Sequence, residues 1–387
     1  MIASGAPASL PGVSRRRRVG VVGGGQLARM MVEAAEGTGV DVVVLAEHSD
    51  DSATGLGAPV LLGQPRDPDA LGALIESSDV LTFDHELLDL DLLESLERSG
   101  VIMHPSPAAL RWATDKAHQR RGLEEAGIRV PRFEVVSEPR ELERALAPWP
   151  SVPVVKAASG GYDGRGVVVA ESFEEARARA EEFLQNSPVV LEERLDLLAE
   201  VSQLVVRSTS GEVRAYPLVT TVQVEGMCAE VLYPAPGDVD AALEVATRIA
   251  HLIDLVGVMA VELFVTPRGL LVNEIALRPH NSGHWTIEGC RTSQFESHLR
   301  AVAGLDLGET TACAGAVAMV NLVGAARPSD DGALGRHSDV AFHLYGKTWR
   351  PGRKLGHVTA LGPDLDEART RAWAAARDWG TRERGVE

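Results

Sequence analysis

A glycine-rich stretch at residues 159–166, with the sequence SGGYDGRG, lies between two apolar stretches that are predicted to be strands. Four glycines within seven residues let backbone N–H groups approach a ligand without a Cβ in the way. Lys156 ends the first strand and Arg165 lies in the stretch, so two cations accompany these N–H groups. We therefore predict a mobile flap that closes over phosphate groups. The alternative is a merely flexible hairpin, which would not need a lysine, an arginine and four glycines together.

The composition of the 387-residue chain limits its partners. Its acidic side chains number 55 against 38 basic ones, and the net charge of −17 repels nucleic acid and anionic membranes. No stretch reaches the ~18 apolar residues of a membrane-spanning helix. The three cysteines are far apart, without the spacing of a metal site or a disulfide framework. We expect a cytoplasmic protein with a disordered leader at residues 1–14, without nucleic-acid or membrane partners.

Residues 15–110 alternate between predicted strands and helices. The predicted strands are 19–22, 41–46 and 79–83, and the predicted helices are 26–38, 67–77 and 90–98. Such alternation is typical of a parallel sheet with crossover helices. We therefore predict an α/β, Rossmann-like first domain, followed by a helix at 115–126.

The turn after the first strand reads Gly23-x-Gly25-x-x-Ala28 and opens a helix, a context in which backbone N–H groups bind an anion. A dinucleotide-binding domain would carry an acidic residue about 20 positions further on. Glu47 lies near that position. Taken alone, this motif leaves a nicotinamide-dependent oxidoreductase open.

Residues 111–310 follow a different, α+β rhythm that suits a nucleotide-binding clamp. The predicted strands come in pairs, 152–157 with 167–170 and 189–193 with 200–208. A helix at 239–255 and a hairpin of strands 257–266 and 270–275 follow.

The hairpin predicts a metal site. A three-residue loop at 267–269 with glycine last is a common hairpin geometry, and it centres the hairpin on residue 268. Glu262 and Glu274 then face each other with Cβ atoms about 5 Å apart, where like charges repel. A Mg²⁺ ion, bound by one or two carboxylates and by substrate phosphates, would relieve this repulsion, and Asn273 could assist. A pair of solvated glutamates is the alternative, but the flanking residues are apolar.

The loop after the hairpin carries Arg278, His280 and His284. Arg278 is suited to stabilise charge on a transferring phosphoryl group or an acyl phosphate. The two histidines have i,i+4 spacing, but Pro279 and Gly283 oppose the helix that a zinc pair would need. We interpret the histidines as hydrogen-bonding groups.

Residues 311–387 are predicted to form a small β-rich domain with a terminal helix. The predicted strands are 317–323, 340–344 and 354–360. One short loop collects four basic residues, which are Lys347, Arg350, Arg353 and Lys354. In so acidic a chain this cluster indicates a phosphate socket, with a solvated turn as the alternative.

Six separated motifs have the order and spacing of one enzyme family. They are GGGQL at 23–27, GYDGRG at 161–166, NE at 273–274, HNSGHWT at 280–286, SQFE at 293–296 and PGRKLGH at 351–357. Over residues 18–362 the chain resembles N5-carboxyaminoimidazole ribonucleotide synthetase, the ATPase subunit of bacterial phosphoribosylaminoimidazole carboxylase. The resemblance implies a three-domain ATP-grasp fold and a homodimer. A dehydrogenase would not be expected to carry the last four motifs.

The resemblance also implies a reaction and the residues that take part. ATP, bicarbonate and 5-aminoimidazole ribonucleotide would give the N5-carbamate, ADP and phosphate through carboxyphosphate, with two Mg²⁺ ions expected. The implied nucleotide site comprises Lys116, Lys156, Gly161, Tyr162, Asp163, Gly164, Arg165, Gly166, Val167, Glu192, Glu193, Arg194, Leu195, Glu200, Gln223, Asn273 and Glu274. The implied substrate side comprises Gln26, Glu86, Asn281, Ser282, Lys347, Arg353 and Lys354. The implied metal ligands are Glu262 and Glu274, and the implied catalytic residues are Lys156, Tyr162, Asp163, Arg165 and Arg278.

Three positions depart from the family's pattern. The segment after Glu86 reads LLD, where relatives usually carry His or Asn, then Val and Pro. Ala199 stands where a basic residue is common, and Gln223 replaces a histidine. An ATP-grasp paralogue that ligates bicarbonate or another carboxylate to a different amine therefore stays open. A non-catalytic nucleotide-binding regulator stays open too.

Overall fold

The computed structural model describes residues 16–160, 166–224, 226–324 and 332–381. The predicted leader lies outside these residues, and so do five residues of the predicted flap, Gly161, Tyr162, Asp163, Gly164 and Arg165. Among the helices of the described segments, none has both the length and the apolar character needed to cross a membrane.

The N-terminal part is a parallel sheet covered by helices. Its elements are β1 (Arg17–Val22), α1 (Gln26–Ala35), β2 (Val40–Ala46), β3 (Val60–Leu62), α2 (Pro68–Ser77), β4 (Val80–Phe83), α3 (Leu90–Arg98) and α4 (Pro107–Thr114). The strand order is β3-β2-β1-β4, and the central strands are rich in valine because helices bury both of their faces. The predicted parallel sheet with crossover helices is confirmed, although β3 and α4 were not predicted.

A second, antiparallel sheet follows. The next elements are α5 (Lys116–Glu125), β5 (Phe133–Val136), a 3₁₀ turn (Pro139–Glu141), α6 (Leu142–Leu146), β6 (Val154–Ala157), β7 (Val167–Val169), α7 (Phe173–Phe183) and β8 (Val189–Glu192). The order is β5-β8-β6-β7. The predicted pairing of β6 with β7 is confirmed, but the predicted pairing of 189–193 with 200–208 is wrong. β8 lies between β5 and β6, and the chain leaves this sheet after Glu192.

A large antiparallel sheet forms the rest of the molecule. Its first elements are β9 (Ala199–Arg207), β10 (Val213–Ala215), β11 (Val219–Val224), β12 (Met227–Tyr233), α8 (Val239–Leu252), β13 (Gly257–Thr266) and β14 (Gly269–Ala276). The later ones are a 3₁₀ turn (Asn281–Gly283), α9 (Thr286–Gly289), α10 (Gln294–Val302), β15 (Ala316–Val323), α11 (Gly332–Arg336), β16 (Ala341–Leu344), β17 (Lys354–Gly362) and α12 (Leu365–Trp379). The order β14-β13-β9-β11-β12-β15-β17-β16 shows that the C-terminal strands continue this sheet through the pair β12 and β15.

His298 on α10 fastens the N-terminal sheet to the large sheet. Its ring is fully buried, Nδ1 accepts a hydrogen bond from the Val258 amide at 3.1 Å, and Nε2 lies 2.7 Å from the Thr82 hydroxyl. Because Nδ1 accepts, Nε2 carries the proton and the ring is neutral. Burial lowers the pKa of His298 to about 3. Gly257 has a φ of 113°, and a Cβ there would come within 2.9 Å of the ring.

This junction predicts a pH dependence of stability. The folded-state pKa of about 3 lies below the ordinary 6.5, so the unfolded chain binds the proton first as the pH falls. The contribution of His298 is fully present above pH 6.5 and is lost below it, by up to about 1.4 kcal/mol per pH unit. We expect the His298→Asn variant to be less stable than the wild type. Its free energy of unfolding in urea should also change less with pH between about pH 5 and about pH 8. Equal slopes for variant and wild type would contradict the role of a neutral histidine.

Candidate active site

Glu262 on β13 and Glu274 on β14 face each other across the hairpin, as predicted. The turn is shorter than predicted, because Thr266 already pairs with Gly269 and only two residues form the loop. A β-bulge makes up the difference, since Asn273 is an extra residue between the pairs on either side of it. The pairing of the glutamates was therefore predicted correctly from a wrong loop length.

A third carboxylate crowds this pair. Ser202 on β9 pairs with Glu262, so Glu200, two residues away, lies on the same face of the sheet. Burial raises the pKa of Glu262 to about 8, and the charges of Glu274 and Glu200 add to the rise. Burial also acts to raise the pKa of Glu274, but Lys116, whose Nζ donates to Glu274 Oε1 at 2.9 Å, lowers it. The two carboxyl groups therefore differ, because their surroundings favour the neutral form of Glu262 and the charged form of Glu274.

A buried ionic cluster joins the two antiparallel sheets beside these carboxylates. Lys156 Nζ at the end of β6 lies 2.7 Å from Glu192 Oε2 at the end of β8, and 3.2 Å from Asn273 Oδ1. Arg120 on α5 is fully buried and donates from Nε to Glu192 Oε1 at 2.7 Å and from Nη2 to the Asn273 carbonyl at 2.6 Å. Sequence reasoning missed Arg120, although its i,i+4 spacing from Lys116 places both on one helix face.

Opposing effects set the protonation of this cluster. Burial alone would raise the pKa of Glu192, but the charges of Arg120 and Lys156 and the hydrogen bonds they donate hold it at about 2. Burial lowers the pKa of Lys156, Glu192 opposes this change and the charge of Arg120 supports it. Glu192 is therefore a carboxylate shared between two cations.

The N-terminal part adds two of the predicted substrate residues. Arg278 Nη2, in the loop after β14, lies 2.9 Å from Glu86 Oε2, which follows β4. Gln26 opens α1, and its Oε1 accepts a hydrogen bond from Lys347 Nζ. Asn281 exchanges hydrogen bonds with the side chain of Asn321, at 2.7 and 3.1 Å. The loop after β14 thus meets both the N-terminal part and the C-terminal strands.

The loop histidines make the predicted hydrogen bonds. His280 Nδ1 lies 2.8 Å from Ser282 Oγ, and its Nε2 lies 3.8 Å from Glu262 Oε1. Ser282 is fully buried, and its hydroxyl also lies 2.7 Å from Ser202 Oγ. This second contact fixes the Ser282 side chain that holds the His280 ring. His284 is buried, its Nδ1 lies 3.1 Å from the Gln294 amide, and burial lowers its pKa well below the usual range.

Three predicted side chains have polar partners other than the paired carboxylates. Glu193 accepts from Arg268 at 2.9 Å, and Arg194 lies 3.7 Å from Glu171, so their side chains are engaged elsewhere. Arg353 donates to the Thr348 carbonyl within its own exposed loop. Four more predicted residues are half-buried, Val167 on β7, Leu195 between β8 and β9, Gln223 on β11 and Lys354 on β17. The charge of Lys354 acts to lower the pKa of Glu262.

The glycine turn of the N-terminal part holds an internal anion. Asp84 at the end of β4 is buried, and its Oδ2 accepts a hydrogen bond from the Gly25 amide at 2.6 Å. Gly23 has a φ of 113°, and a Cβ there would lie 1.8 Å from Asp84 Oδ1. This carboxyl group thus engages an amide at the start of α1 that a dinucleotide's pyrophosphate would use, which disfavours the oxidoreductase interpretation.

The LLD departure after Glu86 builds a helix start. Asp89 is the N-cap of α3, and its carboxylate accepts from the Leu92 amide at 3.2 Å. Leu87 is 52% exposed. Glu86 itself keeps its contact with Arg278.

Family models match three successive segments of the chain. A ribonucleotide synthetase preATP-grasp domain matches residues 16–114, an ATP-grasp domain matches residues 121–295, and a phosphoribosylaminoimidazole carboxylase C-terminal domain matches residues 317–371. With two antiparallel sheets meeting at paired carboxylates and lysines, these matches define an ATP-dependent ligase of the ATP-grasp class.

Individual relatives narrow the class. The N5-carboxyaminoimidazole ribonucleotide synthase of Mycobacterium tuberculosis is 47% identical over 371 residues, covering 92% of this chain and 86% of that protein. The Synechococcus elongatus protein of the same name is 38% identical over 356 residues, covering 90% of each chain. The chain belongs to the N5-carboxyaminoimidazole ribonucleotide synthase family.

Solved structures agree with this assignment. The N5-carboxyaminoimidazole ribonucleotide synthetase from Thermus thermophilus has a TM-score of 0.85 and 34% identity, covering 95% of this chain and 99% of that chain. The Aspergillus clavatus enzyme in complex with ADP and 5-aminoimidazole ribonucleotide has a TM-score of 0.83 and 31% identity, covering 94% and 98%. The three-part arrangement is thus shared along nearly the whole chain.

The internal anion at the glycine turn is open to test. Asp84→Ala leaves the Gly25 amide at the start of α1 without its acceptor, and we expect a loss of about 2 kcal/mol in the free energy of unfolding. Asp84→Asn keeps an acceptor oxygen and should lose less than half as much. Urea unfolding at neutral pH measures both variants, and an unchanged stability of Asp84→Ala would show that the carboxylate does not hold the turn.

Proposed function

We propose that this protein carboxylates 5-aminoimidazole ribonucleotide on its exocyclic amine in purine biosynthesis, with ATP and bicarbonate consumed and ADP and phosphate released. One observation carries the proposal: Glu274 contacts Lys116, while Glu262 faces His280 in the loop that carries Arg278. A phosphate site at Lys116 and a site for a small anion at Arg278 would then adjoin the same pair of carboxylates. The relatives named above carry this activity in their names.

ATP would lie between the two antiparallel sheets. Lys116 and Lys156 come from α5 and β6 and would neutralise the phosphates. The segment 193–195 joins the sheets, and its backbone groups would face the base, because the side chains of Glu193 and Arg194 are engaged elsewhere. The flap residues from Gly161 to Arg165 would cover the phosphates, which stays a prediction.

The donor set suits Mg²⁺. Among the described residues, no group of three or more His, Cys, Asp or Glu side chains is placed to hold a metal ion by itself. Mg²⁺ needs no such cage, because it binds through one or two carboxylates together with substrate phosphates. Burial and the neighbouring carboxylates raise the pKa of Glu262, although Lys354 and Lys116 act to lower it, and a bound cation would favour its charged form. Bound by Glu262 and Glu274, one or two Mg²⁺ ions would neutralise charge on the β- and γ-phosphates.

Arg278 would hold the second reactant. Its guanidinium already binds the Glu86 carboxylate at 2.9 Å, which is the contact that a planar bicarbonate or an acyl phosphate would make. A bicarbonate oxygen attacks the γ-phosphorus and ADP leaves, giving carboxyphosphate. The amine then attacks the carboxyl carbon and phosphate leaves. Exclusion of water protects the intermediate in between.

The ribonucleotide would lie between the N-terminal part and the C-terminal strands. Lys347 lies 5.6 Å from the centre of the Tyr345 ring and donates to Gln26, so it bridges these two parts. Lys354 and Arg353 are neighbours in sequence, and Asn281 lies on the facing loop. A phosphate monoester fits this group of cations. We also propose, from the resemblance, a homodimer in the cytoplasm.

The proposed reaction is tested by ADP release from the purified protein with MgATP and bicarbonate. We expect 5-aminoimidazole ribonucleotide to stimulate release at least about tenfold, because its amine consumes carboxyphosphate and frees the site. ATP turnover indifferent to the ribonucleotide would favour a paralogue acting on another amine. If the protein binds ATP but does not turn it over, a non-catalytic nucleotide-binding regulator would be favoured.

The proposed metal site is tested by Glu262→Gln and Glu274→Gln. Each removes one carboxylate charge, so we expect the Mg²⁺ concentration for half-maximal activity to rise at least about tenfold and kcat to fall about 100-fold. Glu212→Gln is the matched control, because Glu212 lies at the surface and pairs with Arg214. An unchanged Mg²⁺ requirement in both variants would exclude these residues as ligands.

A further inference from the structure

Arg120 lies at the centre of the buried cluster between the sheets. Each of its terminal nitrogens and Nε donates to a different residue: Nη1 to Gln119 Oε1 at 2.7 Å, Nη2 to the Asn273 carbonyl at 2.6 Å and Nε to Glu192 Oε1 at 2.7 Å. The side chain has no exposed surface, so it cannot itself touch a ligand in this arrangement. Its effect on a ligand must pass through these partners.

The partner that matters is Glu192. Its two carboxylate oxygens are divided, one facing Arg120 and one facing Lys156, each at 2.7 Å. Two cations thus share one anion, and the cluster keeps one positive charge in excess. If Arg120 were neutral, Lys156 would be the only counterion within this cluster for a carboxylate that is 2% exposed. The excess charge would then be gone.

The donors of Lys156 lead to the same conclusion. An ammonium group has three N–H donors. One faces Glu192 Oε2 at 2.7 Å and a second faces Asn273 Oδ1 at 3.2 Å. The third N–H donor would bind a phosphate oxygen, provided that the ammonium group does not bind both carboxylate oxygens of Glu192.

We propose that Arg120 is a positioning residue that occupies one oxygen of Glu192 and so keeps the positive charge of Lys156 available to the nucleotide phosphates. The inference rests on the proposed use of ATP and deepens it. It assigns a role in nucleotide affinity to a helix residue that is fully buried.

Calorimetric titration of the full chain with MgATP tests the proposal. Arg120→Met should weaken binding at least about tenfold. Arg120→Lys keeps the charge and should stay within about threefold of wild type. The double variant Arg120→Met/Glu192→Gln removes one cation and the anion together, restores the excess charge on Lys156, and should recover most of the lost affinity. A role confined to folding would make the double variant no better than Arg120→Met.

Arg369→Met is the matched control. Arg369 on the C-terminal helix α12 also binds a buried glutamate, Glu230 on β12, with two contacts at 2.7 and 2.9 Å. The Arg369→Met variant should have a lower unfolding midpoint than the wild type and an unchanged affinity for MgATP. If Arg120→Met does not fold, the MgATP affinities of Arg120→Lys and of the double variant test the proposal. A loss of affinity beyond about tenfold in either variant overturns it.

The two proposals fail in different ways. Wild-type protein that does not bind MgATP removes the proposed function and this inference with it. If the wild type binds MgATP and Arg120→Met binds it with equal affinity, only the inference about Arg120 is overturned.

Discussion

Repulsion between Glu262 and Glu274 is the constraint on which the rest of the site depends. A hairpin that places two carboxylates opposite each other, with Glu200 on the same face, is unfavourable unless cations surround it. The fold brings those cations from separate segments. Lys116 comes from α5, and Lys354 comes from the C-terminal β17 and acts on Glu262 through its charge. We propose that a divalent cation and substrate phosphates complete a site built this way.

The bulge at Asn273 links this carboxylate face to the second sheet. Its side chain accepts from Lys156 and its carbonyl accepts from Arg120, so one extra residue contacts both cations of the buried cluster. Removing it from the hairpin would leave the two glutamates paired but would separate them from that cluster. The bulge is therefore a device that couples the proposed metal site to the proposed nucleotide site.

Local features of the sequence predicted most of the helices and strands. Contacts between residues far apart in the chain were not predicted. The facing of Glu262 and Glu274 follows from residue counting within one hairpin, and the bulge compensated for the wrong turn length. The pairing of β8 was wrong because neighbouring apolar strands need not share a sheet, and the chain changes sheets after Glu192. Arg120 and Asp84 were missed for a related reason. Their partners lie 72 and 59 residues away, so nothing nearby distinguishes them from surface charges.

The central claim is that the site transfers the γ-phosphoryl group of ATP to bicarbonate. It is tested most directly with ¹⁸O-labelled bicarbonate, by mass analysis of the phosphate released during turnover with 5-aminoimidazole ribonucleotide. The account predicts one ¹⁸O atom in each phosphate, because the attacking bicarbonate oxygen stays on phosphorus when the carboxyl group departs. Phosphate without ¹⁸O, whose fourth oxygen came from water, would contradict it.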